Sequence, residues 1–322
     1  MKEKTNGLMN KYGVMFPVLG SFALVIVLTI LFIPFRLAAK KDLNLTIDAG
    51  KQGYTVDDSS SATETGAGSI GESSEDGVVI SQFANVDDSG NIVIPGTLKE
   101  KPVVGIANQA FMTGMFANTI ESVVFPETLQ TIGDEAFYGQ KLKSVSFPDS
   151  VKSIGNKAFG SNEIEELSLN EGLEYIGELA FERNHITSVT IPSTVTFIGK
   201  SAFAQSNIQN LVFKEGTEPA TIEKAAFRIE SNGDNDVVVP GNYVSIGSGN
   251  FYNAHSLTWE ESTTGQDQKY YADSSTKIDE FHGSSTITEI EGKMYRSTVI
   301  YGPKGSYLEQ YANEIGNEFI PE

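Results

Sequence analysis

A phrase of about 22 residues recurs along the middle of this chain, and no other feature restricts its fold as tightly. Phenylalanines at 137, 159, 181 and 203 stand 22 apart, with Phe111, Phe227 and Phe251 continuing the series at slightly wider spacing. Five residues ahead of each lies an isoleucine: Ile106, Ile132, Ile154, Ile176, Ile198, Ile222 and Ile246. Further upstream come short alternating phrases, SVVFP, SVSFP, ELSLN, SVTIP, NLVFK, VVVP and SLTWE. A fixed period of this length cannot close a core within one repeat, so successive repeats must stack and share their apolar faces.

Within a repeat the apolar places are constant. Val145, Phe147, Val151, Ile154, Ala158, Phe159 and Ile164 in one recur as Leu167, Leu169, Leu173, Ile176, Ala180, Phe181 and Ile186 in the next. Gly155, Gly177 and Gly199 suit a tight backbone corner, and Ala158, Ala180 and Ala202 leave room beside the large ring. Pro126, Pro148, Pro192 and Pro240 end strands, because proline cannot donate to a ladder. About seven coils of a mainly β repeat solenoid are expected over 78–260. Glu223 in the usual glycine place and Lys214 in the usual proline place depart from the pattern.

The phrases FPDSVKSIGNKAFGSNEI and IPSTVTFIGKSAFAQSNI resemble the BspA-like leucine-rich repeat family, whose signature runs I-P-x-x-V-x-x-I-G-x-x-A-F. The resemblance covers about residues 92–260, and GNIVIPGTLKEKPVVGIANQAF is similar to the family's usual first repeat. A cysteine often follows the family's phenylalanine; here Gly, Ser or Asn takes its place. The resemblance implies a right-handed leucine-rich-repeat solenoid on a bacterial or protist surface, serving in adhesion or protein binding, and it implies no enzyme.

Outside the repeats, 14–35 is an uncharged run of 22 residues, long enough to cross a bilayer as a helix. It reads as a signal-anchor behind a short tail, 1–13, and it exceeds the apolar core of an ordinary cleaved signal peptide, for which Ala39 would offer a cleavage residue. Lys2, Lys4 and Lys11 on one flank balance Arg36, Lys40 and Lys41 on the other, so charge does not orient the span. An extracellular carboxyl side follows from the resemblance. The stretch 36–77, rich in Ser, Gly and acids, reads as a flexible linker: either a spacer lifting the solenoid off the membrane or a tether of no fixed length. The stretch 261–285 reads as a polar loop. Residues 286–322 read as a small β/α cap, its helix starting in a capping box of Ser306 and Glu309 and stopping at Gly316.

Composition removes several functions. A net charge of −19 argues against nucleic acid as a partner, since phosphate binding requires clustered Lys and Arg. With no cysteine there is no disulfide, thiol chemistry or Cys-ligated zinc, and His185, His255 and His282 are widely spaced. No catalytic motif occurs, so neither an enzyme nor a cofactor is expected. The irregular segments are better polar turns than sites, including Asp234, Asn235 and Asp236 near Glu230, which lack calcium-loop spacing.

Alternation along the strands aims Val124, Ser146, Ser168, Thr190, Val212, Val238 and Thr258 outward, one per coil. This ladder is the candidate binding surface for an extracellular protein or glycan, with the membrane contacted through 14–35. β-branched residues favour strands in any case, so the composition of the row has a purely structural explanation too. A structural or scaffolding part in a cell-envelope assembly is the alternative function. Trp259 is expected to close the core under the cap.

Overall fold

The computed structural model describes residues 54–55, 68–70, 77–83, 90–112, 120–227 and 235–322. The expected span at 14–35 lies outside them, as do Glu230 and Asp234. No helix among the described residues is long and apolar enough to cross a membrane.

Ten parallel strands form the main ladder, one per coil: Val78–Phe83, Lys101–Ile106, Thr131–Ile132, Ser153–Ile154, Tyr175–Ile176, Phe197–Ile198, Ala220–Ile222, Tyr243–Ile246, Gln268–Tyr271 and Ile287–Glu291. The register explains the repeated isoleucine. Ile80, Ile106, Ile132, Ile154, Ile176, Ile198, Ile222 and Ile246 pair in turn, and the row continues through Tyr270 and Ile290.

The solenoid thus has about ten turns and not seven. One extra coil precedes the readable repeats, and two follow them. Residues 261–285, expected as a polar loop, carry the strands Gln268–Tyr271 and Ile278–Gly283. Tyr270 fills the isoleucine place there and Phe281 the inward strand place, both buried, so the coil survives although its wording is gone. The described pieces of the expected linker, Tyr54–Thr55 and Gly68–Ile70, are likewise strands. They pair antiparallel with each other, and Gly68–Ile70 pairs antiparallel onto Val78–Phe83, occupying backbone groups that the first rung would otherwise leave open.

A second row of parallel strands runs down another side of the coils: Asn91–Val93, Ser122–Val124, Ser144–Ser146, Glu166–Ser168, Ser188–Ile191, Asn210–Phe213, Asp236–Val239, Ala254–Trp259, Ile278–Gly283, Val299–Gly302 and Phe319–Pro321, paired as three two-stranded sheets and one five-stranded sheet that ends the row. Between the two rows lies one apolar core. Its spine is the recurring phenylalanine: rings 111, 137, 159, 181, 203, 227 and 251 stack within 15° of parallel, with centroids 4.6 to 6.1 Å apart. Gly177 is required because a Cβ there would lie 2.6 Å from the Asn156 nitrogen of the preceding coil.

At the carboxyl end the helix Tyr307–Ile315 buries Leu308, Tyr311 and Ala312 and stops at Gly316 in a left-handed conformation, as the pattern predicts. It closes the final coil through Tyr307, whose hydroxyl accepts from the Ile290 nitrogen, and Tyr311, whose hydroxyl accepts from the Met294 nitrogen and donates to the Gly292 carbonyl. The capping box does not form. The Ser306 hydroxyl makes no cap bond, and the Glu309 carboxylate reaches past it to accept from the Gly305 nitrogen at 2.6 Å. Trp259 is buried as expected, its indole N–H donating to the Tyr243 carbonyl.

Candidate functional site

The second row of strands exposes one side chain per coil from its middle. Register places Ser146 beside Ser168, Thr190 beside Val212, and Val238 beside Thr258. Val124 pairs with Val93 at the amino end. The seven expected residues therefore occupy the same place in successive coils, side by side in pairs within each sheet, each outward because its two neighbours in the strand point toward the core. Val124, Ser146, Ser168, Thr190, Val212 and Val238 are exposed; Thr258 is half-buried beside His282.

The line is also where exposed apolar surface collects. Five large hydrophobic side chains stand exposed among the described residues, and four of them are Val93, Val124, Val212 and Val238. Small hydroxyls at 146, 168 and 190 separate the two valine pairs.

Sequence reasoning stopped the line at Thr258, but it runs on through His282, Tyr301 and Ile320. The His282 ring stacks on Tyr301 with centroids 4.2 Å apart. Its Nδ1 lies 3.0 Å from a Glu322 carboxylate oxygen and its Nε2 lies 3.4 Å from Glu280. Partial burial and the carboxylate of Glu280 push the Tyr301 hydroxyl upward from its ordinary pKa. Val93 was legible in the phrase NIVIP, whereas His282 sits in a strand whose repeat wording has been lost.

Charge along the strip is one-sided. Within three residues either side of the seven outward positions stand ten carboxylates, two lysines and no arginine. Glu127, Asp149, Glu171 and Glu215 share the place three residues beyond the outward side chain, and all four are exposed. Both lysines are already committed, Lys143 to Glu121 at 3.9 Å and Lys214 to Glu171. Glu165 and Glu166 are exposed on the other side of the strip. Asp236 accepts from the Ser256 hydroxyl, and no group of three metal-ligating side chains comes together among the described residues.

The model of the BspA type leucine rich repeat region matches in six copies, over residues 104–233 and 220–302. The chain belongs to that family. As in the BspA type repeat read from the sequence, the matched stretch contains the isoleucine register from Ile106 onward, the phenylalanine spine and all the outward positions from Val124 to Thr258.

No curated protein matches this BspA type chain. Similar solved structures include a leucine rich cell surface protein from Faecalibacterium prausnitzii, 19% identical over 77% of this chain and 76% of that one, with a TM-score of 0.48. A leucine-rich repeat protein from Bacteroides ovatus is 18% identical over 75% and 84%, with a TM-score of 0.42. The pneumococcal vaccine antigen PcpA is 14% identical over 84% and 98%, with a TM-score of 0.43.

Proposed function

We propose that this chain is a cell-surface recognition module, tethered to the membrane through residues 14–35, that presents the line from Val124 to Thr258 to an extracellular protein or glycan. The observation that carries the reading is the concentration of exposed apolar side chains on one row of strands, where three of five fall on the line itself and a fourth, Val93, pairs with its first residue. The stacked coils, tied by the continuous main ladder, set the spacing of the strip, so a broad partner meets side chains already in place and loses little entropy to their ordering. Family membership supports a binding role, and the uncharged run at 14–35 supports the tether.

Two experiments on intact cells test this. Added protease is expected to remove the solenoid and leave an amino-terminal fragment in the membrane fraction; full protection in cells whose wall admits the protease would sink the surface reading. A photo-reactive side chain at Ser168 is expected to form adducts that the same group at Tyr175, on the main ladder, does not. Equal labelling from both positions, or none from Ser168, would remove the strip as the binding face.

A further inference from the structure

From the charge around the strip we infer that its partner is a cationic polypeptide segment, laid in extended form along the line from Val124 to Thr258; this rests on the recognition reading above. The strip has two properties that a partner must match together. Its centre is a row of exposed valine, serine and threonine side chains, which suits an extended chain with small or branched side chains. Its borders are acidic, with ten carboxylates against two lysines that are both already paired.

The acids repeat with the coil, so they form a line and not a point. Glu127, Asp149 and Glu171 follow at intervals of 22, and Glu215 returns to the same place two coils later. Among the described residues, Glu127, Asp149, Glu165, Glu166 and Glu215 have no Lys or Arg within ion-pair distance. Like charges held in a row repel one another and are relieved by a line of opposite charge. Parallel rungs stand about 4.8 Å apart and an extended chain advances about 3.3 Å per residue, so seven outward positions correspond to roughly nine residues of partner. Anionic partners such as nucleic acid, acidic glycans or an anionic membrane meet repulsion along the whole strip.

The test uses the full chain in a non-ionic detergent and a fluorescent peptide alternating valine and lysine, with one alternating valine and glutamate as counterpart. The lysine peptide is expected to bind with an affinity that falls with salt, and the glutamate peptide not to bind. Neutralising the border by Glu127→Gln, Asp149→Asn and Glu215→Gln is expected to weaken binding about tenfold and flatten the salt dependence. Three neutralisations away from the strip, Glu174→Gln, Glu178→Gln and Glu314→Gln, remove the same net charge and are expected to change little.

Equal losses from the two triple variants would assign the binding to net charge and overturn the proposal, as would failure of the lysine peptide to bind at all. Either result, alongside Ser168 adducts on cells, leaves the strip as a recognition face for a partner of other chemistry. Absence of those adducts sinks the underlying reading instead.

Discussion

Glu135, Lys157, Leu179, Ser201 and Ala225 each hold a φ between 54 and 59°, or 53° at Lys157, two residues ahead of a core phenylalanine. None of them is glycine, and the conformation is costly for an L-residue. Its use lies in the direction it gives the next amides. The Lys157 nitrogen donates to the Glu178 carbonyl and the Phe159 nitrogen to the Ala180 carbonyl, so the corner bonds along the stack from coil to coil. Lys157→Gly keeps that bond and removes the strain. Against the extra freedom glycine gains when unfolded, a net stabilisation of about 0.5 to 1 kcal/mol is expected, read as a higher urea midpoint. Tyr243 gives a second prediction at this scale. Its hydroxyl is buried without a partner, and burial raises its pKa well above the ordinary 10.0. An acid whose folded pKa is raised contributes its stability in full below the unfolded value and loses it as pH rises past about 10. Tyr243→Phe removes an unsatisfied buried group, so it is expected to stabilise by about 1 kcal/mol at neutral pH and to lessen the loss of stability above pH 10. Thermal unfolding at pH 7 and pH 11 checks both; a variant less stable at neutral pH would mean the hydroxyl has a partner.

Between coils, the element that the apolar pattern conceals is a polar row. Gln140, Asn162, Asn184 and Ser206 stand 22 apart, three residues beyond the phenylalanines, and all are buried. Asn184 accepts from the Ile164 nitrogen and donates to the Phe159 and Phe181 carbonyls, each at 3.0 Å. It joins two coils at a corner where no ladder strand does. Asn184→Ala leaves the Ile164 nitrogen and the Phe181 carbonyl without partners, while the Phe159 carbonyl keeps the Asn162 amide at 3.0 Å, and a loss of about 2 to 4 kcal/mol is expected in denaturant unfolding. A loss below 1 kcal/mol would show that water replaces the amide. The spacing of this row was open to sequence reading, but a search for apolar constants passes over a place filled by Gln, Asn and Ser. The main ladder was legible because Ile132, Ile154, Ile176 and Ile198 are the same residue in the same register. Its two last coils were not, since Tyr270 does the work of isoleucine in the first of them and neither Tyr270 nor Ile290 is followed by a phenylalanine five residues on. The outward strip was legible from alternation alone as far as Thr258. Beyond it, His282 and Tyr301 required the register, which only the parallel pairing of strands 254–259, 278–283 and 299–302 supplies.

Across the whole molecule, stability is largely a chain of neighbour contacts, because each coil packs mainly against the coils on either side and contacts that skip a coil, such as Lys214 with Glu171, are exposed surface pairs. The end coils therefore depend on what covers them. Leu308 is the plug: fully buried, its Cδ1 lies 2.6 Å from where a Cβ on Gly283 would stand and 2.8 Å from one on Gly302. Two strands omit a side chain to admit it. Leu308→Asp places a charge in that space and is expected to release the helix Tyr307–Ile315 from the stack at a cost of several kcal/mol. If neighbour contacts govern stability, the damage fades with distance along the solenoid. Amide exchange is expected to accelerate strongly in Gln268–Tyr271 and Ile287–Glu291, and to stay near wild type in Ser153–Ile154 and Tyr175–Ile176. Those distant coils underlie Ser146 and Ser168, so recognition on the strip is expected to survive loss of the cap. Uniform acceleration in every coil would show instead that the ten turns open as one unit, with the stacked phenylalanines coupling the ends to the middle.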